Sequence, residues 1–206
     1  MQPTRRTILT ATGALLVAGA AGAIRAHAEA PAPADPHMGD RALGSPDAKV
    51  TAEEWFSFTC PHCARFQADV FPLVQAQLID TGKLRYVFRE YPRDQVDLTA
   101  AMVARSLPPS RYVPFVETLL ASQPRWAFDR SVDPKDELAK MAALAGMPRE
   151  MFDKVLADES LKAAILDAQS KAEAAYSIDS TPTFIINGHA HTGEADIDTF
   201  KKWVGA

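Results

Sequence analysis

Cysteine is nearly absent from this chain: two occur in 206 residues, Cys60 and Cys63, in Phe58-Thr59-Cys60-Pro61-His62-Cys63-Ala64. A pair so close in sequence closes too small a loop to staple a fold of this size, so it serves something other than scaffolding. Basic runs are absent as well. The formal net charge is −4, which argues against nucleic acid and anionic membrane as partners. A convincing membrane span is also lacking. Residues 8–24 are apolar but diluted by Thr10, Thr12, Gly13, Gly19 and Gly22, where a span wants about 20 strongly apolar residues. No repeat or low-complexity segment is evident in residues 94–177.

An apolar fraction of 47% against 23% charged is that of an ordinary globular chain able to bury a real core. The N-terminus stands outside that core. Arg5 and Arg6 form a basic region, residues 8–24 the apolar stretch, and Ala26-His27-Ala28 a small-x-small cleavage site, so residues 1–28 read as a signal peptide. Thr4-Arg5-Arg6-Thr7 resembles a twin-arginine signal, although paired arginines also occur in ordinary secretory signals. Cleavage after Ala28 removes three arginines and no acid, leaving an acidic exported chain in surroundings that permit disulfides. Residues 29–40, rich in Pro and Ala, read as a flexible leader to a domain over 41–206.

Periodicity orders the rest. Residues 49–58 read as a buried strand, 61–80 as an amphipathic helix that Pro72 should kink, and 83–91 as a second strand. Together they make a βαβ unit, which implies parallel strands. From 94 to 177 only helical periodicity appears, in four or five short helices separated by prolines and Gly146. Thr183-Phe184-Ile185-Ile186, Asn187-Gly188 and a short strand near residues 190–192 form a hairpin, and an amphipathic helix ends the chain. The expected fold is α/β: βαβ, helical insertion, ββα.

A Cys-x-x-Cys at a strand-to-helix junction places one sulfur at a helix N-terminus, where the thiolate is stabilised. Cys60, just before the helix, is expected to be the exposed, ionised nucleophile. Cys63, one turn on, is expected to point inward and resolve mixed disulfides. Pro61 begins the helix, and His62 is placed to favour negative charge on Cys60. A low-pKa nucleophile stabilises the reduced pair and makes the disulfide a strong oxidant, so the expected direction is donation of a disulfide to substrate thiols.

Glu54-Trp55-Phe56-Ser57-Phe58-Thr59-Cys60-Pro61-His62-Cys63 resembles the active-site strand and helix of DsbA-type thiol–disulfide oxidoreductases of the thioredoxin superfamily. Ser180-Thr181-Pro182-Thr183-Phe184 is similar to that family's cis-proline loop. The resemblance covers residues 41–206. It implies a thioredoxin-like fold, protein substrates, no cofactor, re-oxidation by a membrane quinone-linked thiol oxidase, a periplasmic location and a monomer. It implies that Glu54 is a buried acid relaying a proton for Cys63, and that Pro182 is cis with the Thr181 backbone pairing to substrate. It also marks a departure. Many relatives carry a second cysteine pair where this chain has Ser106 and Val155, and the alignment expects those two residues to face each other.

Other readings stay open on the residues alone. Cys60 and Cys63 could be half of a zinc site, with His189 and His191 as the nearest candidates for the two further ligands zinc requires. His62 could be a plain surface histidine, Pro182 an ordinary trans loop proline, and Glu53 rather than Glu54 the inward acid. A disulfide isomerase or reductase, and a non-catalytic metal or peptide binder, are the alternative functions.

Overall fold

The computed structural model describes residues 35–206; the expected signal peptide, its expected cleavage site and the first half of the expected leader lie outside them. Five strands form one sheet in the order β1-β3-β2-β4-β5. β2 (Val50–Phe56) and β3 (Leu84–Glu90) run parallel at its centre. β4 (Thr183–Ile186) pairs antiparallel with β2, and β5 (His189–Thr192) antiparallel with β4. The hairpin turns at Asn187 and Gly188, both at positive φ, as an Asn-Gly turn demands.

β1 (Arg41–Leu43) pairs antiparallel with the edge of β3, an element too short for periodicity to reveal. The domain's contacts begin earlier still. Pro36–Met38 forms a short 3-10 helix, and Asp40 pairs with Arg85 and Arg89. Residues 35–40 are thus tied to the domain, unlike the flexible leader expected there. Gly44, at φ +87°, follows β1 where a side chain would run into the Leu84 carbonyl.

The helix after β2 is not uniform. α1 (Pro61–Arg65) widens into a π turn over Phe66–Val70, continues as α2 (Phe71–Val74) and widens again over Gln75–Ile79. Pro72 has no N–H to donate and its ring crowds the preceding turn. The wide turn, in which Phe71 N–H donates to the Phe66 carbonyl, absorbs it.

The helical insertion comprises α3 (Gln95–Ser106), α4 (Pro109–Ala121), α5 (Gln123–Trp126), α6 (Pro134–Leu144), α7 (Arg149–Leu156) and α8 (Glu159–Tyr176). α3 and α7, which carry Ser106 and Val155, pack against each other. α9 (Ile197–Val204) closes the chain.

One sheet face, with the helices, buries an aromatic core in which Phe66 meets Phe184 at 4.7 Å and Phe71 meets Tyr86 at 5.1 Å between ring centres. On the other, Trp55 and Ile185 pack with Tyr91, Ala172 and Ile178 in a smaller cluster. β2 is therefore buried on both sides. Among the described residues, no helix is long and apolar enough to cross a membrane.

Candidate active site

β2 ends at Phe56, and the turn Ser57-Phe58-Thr59 delivers Cys60 as the N-cap of α1 in an extended conformation (φ −91°, ψ 117°). Pro61 occupies the first helical position, where a missing N–H costs nothing. Side chains from the helical insertion fix this turn. Asp97 on α3 accepts from Phe58 N–H (2.8 Å) and Arg93 N–H (2.9 Å), and Asp94 accepts from the Thr59 hydroxyl (3.1 Å). Gln123 on α5 donates to the carbonyls of Phe58 (2.7 Å) and Cys60 (3.0 Å).

Both cysteines are buried. For Cys60 this departs from the exposed sulfur expected. Its Sγ donates to the Thr181 carbonyl at 3.2 Å, so the loop before β4 lies against it, and the Thr181–Pro182 peptide in that loop is cis. Two segments some 120 residues apart therefore meet at the sulfur.

The two thiols differ sharply in acidity. The Cys63 thiol beside it is the chief cause that holds Cys60 down at about 5. Thr181 and the backbone N–H groups of Cys63 and His62 add to this against the opposing effect of burial. Cys63 is pushed well up, first by burial, then by its bond to Cys60 and by the nearby charge of Glu54. The helix start thus produces one acidic and one reluctant sulfur from a single motif.

Beneath the pair lies Glu54, 1% exposed, its Oε2 accepting from the Tyr86 hydroxyl at 2.8 Å. Its Oε1 has no partner. Burial raises this carboxyl to about 8, with Cys60 adding to the rise and the Tyr86 hydrogen bond opposing it. Glu53 points to the other face and pairs with Arg89 at 3.0 Å. Of the two neighbours, Glu54 is the inward acid.

His62 lies at the rim. Its Nδ1 faces the Glu194 carboxylate, and what supports the Cys60 sulfur from this residue is its backbone N–H. Arg65 joins the same carboxylate, Nε to Oε2 at 3.1 Å. His189 and His191 lie apart on β5, where His191 stacks on Trp203 at 4.5 Å. Among the described residues, no group of three His, Cys, Asp or Glu side chains is placed to hold a metal ion.

Asp97, Gln123, Tyr86 and Glu194 complete the site and were not singled out from the sequence. Tyr86 could have been found, since alternation along β3 gives it an inward side. The other three reach the cysteines across 34 or more positions, and no local pattern marks them.

A Cys-x-x-Cys at a helix start, facing a cis-proline loop over a mixed sheet, is the arrangement of a thioredoxin-type fold. The family profile described as Thioredoxin matches residues 37–206, and the chain belongs to that family, as a DsbA-like member. A Rickettsia prowazekii relative named as a protein-disulfide oxidoreductase is 31% identical over 166 residues, 80% of this chain and 60% of its own length. The chain thus spans about three fifths of the length of that relative. Disulfide bond formation protein D of Bacillus subtilis is 25% identical over 81% of this chain and 76% of its own. Among solved structures, Wolbachia pipientis alpha-DsbA1 superposes with a TM-score of 0.74 at 29% identity, covering 82% of this chain and 90% of that one.

Proposed function

We propose that the protein is an exported thiol–disulfide oxidoreductase that donates the Cys60–Cys63 disulfide to reduced proteins. The observation that carries this reading is the opposed acidity of the two sulfurs, Cys60 held near 5 and Cys63 pushed up. A thiolate stabilised at Cys60 favours the reduced form and leaves readily, which makes the disulfide form oxidising.

In the forward reaction a substrate thiolate attacks Cys60 Sγ. The Cys60–Cys63 bond breaks, its electron pair stays on Cys63, and a mixed disulfide joins Cys60 to substrate. Glu54, neutral below about pH 8, is the acid that supplies a proton to Cys63. A second substrate thiolate then attacks the substrate sulfur of the mixed disulfide and releases Cys60 as a thiolate. The substrate gains one disulfide and the enzyme keeps two electrons. The loop backbone at Thr181 and Pro182, beside Cys60, is where a substrate strand would align. Export to the periplasm through residues 1–28, and re-oxidation by a membrane quinone-linked thiol oxidase, complete the proposal.

Two measurements test it. Cys63→Ala, its Cys60 first activated as a mixed disulfide with an aromatic thiol, should lose that thiol to a reduced, unfolded protein and trap the protein on Cys60, and Cys60→Ala treated in the same way should trap none. The redox equilibrium of the pair against glutathione should be far more oxidising than the roughly −270 mV of thioredoxin. A value near thioredoxin's would make the protein a reductase, and activity persisting in Cys60→Ala would make it a non-catalytic binder.

A further inference from the structure

Glu194 sits in the loop after β5, 132 residues from His62 in sequence, yet its carboxylate holds two side chains of the active-site helix, those of His62 and Arg65. Oε1 contacts His62 Nδ1 and the Arg65 guanidinium, and Oε2 accepts from Arg65 Nε. Arg65 Nη2 in turn lies 2.7 Å from His62 Nδ1. Nδ1 of His62 thus lies between an acceptor, the Glu194 carboxylate, and a donor, the Arg65 guanidinium, and the ring is held from both sides. Bidentate pairing fixes the planar guanidinium in the same way. The three side chains form a closed cluster at the rim of the cysteine pair, about one third to three fifths exposed.

We propose that Glu194 is a positioning residue of the redox site, whose carboxylate fixes His62 and Arg65 and offsets the positive charge of Arg65, limiting how strongly the Cys60 thiolate is held. This rests on the reading of Cys60 as the redox nucleophile. Arg65 ends the short helix that Cys60 caps, and it is favoured in its charged form first by Glu194 and, further down, by Cys60. Glu194 is held below the usual carboxylate range, chiefly by Arg65 and also by His62, and so is ionised wherever Cys60 is. The remaining charged group near Arg65 is Asp69, on the following turn. A single carboxylate from the β5–α9 loop thereby acts on a sulfur carried by the opposite end of the sequence.

Glu194→Gln keeps the size and an acceptor oxygen but removes the charge. In the full-length protein its Cys60 thiolate, followed by ultraviolet absorbance against pH, should form at lower pH. The glutathione equilibrium should move toward the reduced protein by about threefold, the scale of a partly exposed ion pair. Threefold is about 15 mV toward the oxidising side. Arg65→Gln should shift both readouts in the opposite direction, and Glu194→Gln in the Arg65→Gln background should have a smaller effect. In about 1 M salt the shifts should shrink, because exposed charges are screened. A loop-anchoring role alone would lower the melting temperature and leave the thiolate titration where it is. An unchanged titration in Glu194→Gln, or a shift to higher pH, overturns the proposal. If instead the wild-type pair fails to exchange with glutathione at all, it is the oxidoreductase reading that falls.

Discussion

The floor of the candidate site, built by β2 and β3, and its rim, built by α1 and the loop after β5, handle charge in opposite ways. On the floor, Glu54 and Tyr86 are buried beneath Cys63, and burial itself pushes both toward their neutral forms. At the rim, His62, Arg65 and Glu194 are partly solvated and satisfy one another as a polar cluster around the Arg65–Glu194 ion pair. Cys63 is raised by the first environment, while Cys60 is lowered by the helix start and by Cys63 itself. A motif four residues long spans the boundary, and its two sulfurs acquire different chemistry because they look to different sides of it.

The sharpest way to break this contrast is the pH dependence of stability in the reduced protein. Glu54, raised to about 8, and Asp97, raised to about 7 by burial, each bind a proton more tightly in the fold. Their contributions are fully present below their unfolded values near 4 and are lost as pH rises through the folded ones. Cys60, lowered to about 5, does the reverse. Its contribution is complete above the unfolded thiol value near 8.5 and is lost as pH falls through about 5. Between pH 5 and 7, Glu54→Gln should therefore make the slope of unfolding free energy against pH more positive by about 1.4 kcal/mol per unit. Cys60→Ala should make it more negative by about the same amount. Denaturant melts under reducing conditions read both slopes, and equal slopes in all three proteins would dissolve the distinction between floor and rim.

A smaller effect probes what holds the two environments in register. Gln123→Ala strands the buried carbonyls of Phe58 and Cys60, a loss of about 2 kcal/mol. For a domain of this size it should appear as a fall in melting temperature of roughly 4–8 °C. Restoration by Gln123→Asn is not expected, since the shorter side chain cannot span both carbonyls. The smallest expected change concerns the insertion away from the site. Ser106→Cys combined with Val155→Cys should form a second disulfide between α3 and α7, with a gain of about 1–2 kcal/mol, because engineered bridges deliver less than loop closure predicts. Thiol counting after oxidation checks it, and two free thiols at those positions would refute the facing alignment.

Much of this site was legible in the sequence, and the limits of that legibility are physical. Cys60, Cys63 and Pro61 announce themselves because helix-start chemistry is local. The Asn187-Gly188 hairpin is legible for the same reason, turn geometry being encoded in adjacent residues, whereas Pro182 is legible only through the resemblance of its loop to a family motif. Glu54 and Glu53 sit on opposite faces of a strand buried on both sides, so alternation separates them without saying which meets the sulfurs. That choice depends on Tyr86, a neighbour supplied by β3. The burial of Cys60 could not be read either, because the covering carbonyl belongs to Thr181. Asp97, Gln123 and Glu194 are ordinary polar residues in ordinary helix or loop contexts, and only long-range packing gives them partners.

Gln123 also bears on how this fold could be rebuilt. An insertion between β3 and β4 is formally a graft, and it invites excision to leave a minimal βαβ–ββα scaffold. Yet the amide that ties down both sides of the cysteine turn comes from α5, and the carboxylate that fixes Phe58 N–H comes from α3. Excising the graft would take the redox turn's own fastenings with it. A minimal version would need a new donor for two carbonyls and a new acceptor for one amide before its cysteines could be held as they are here.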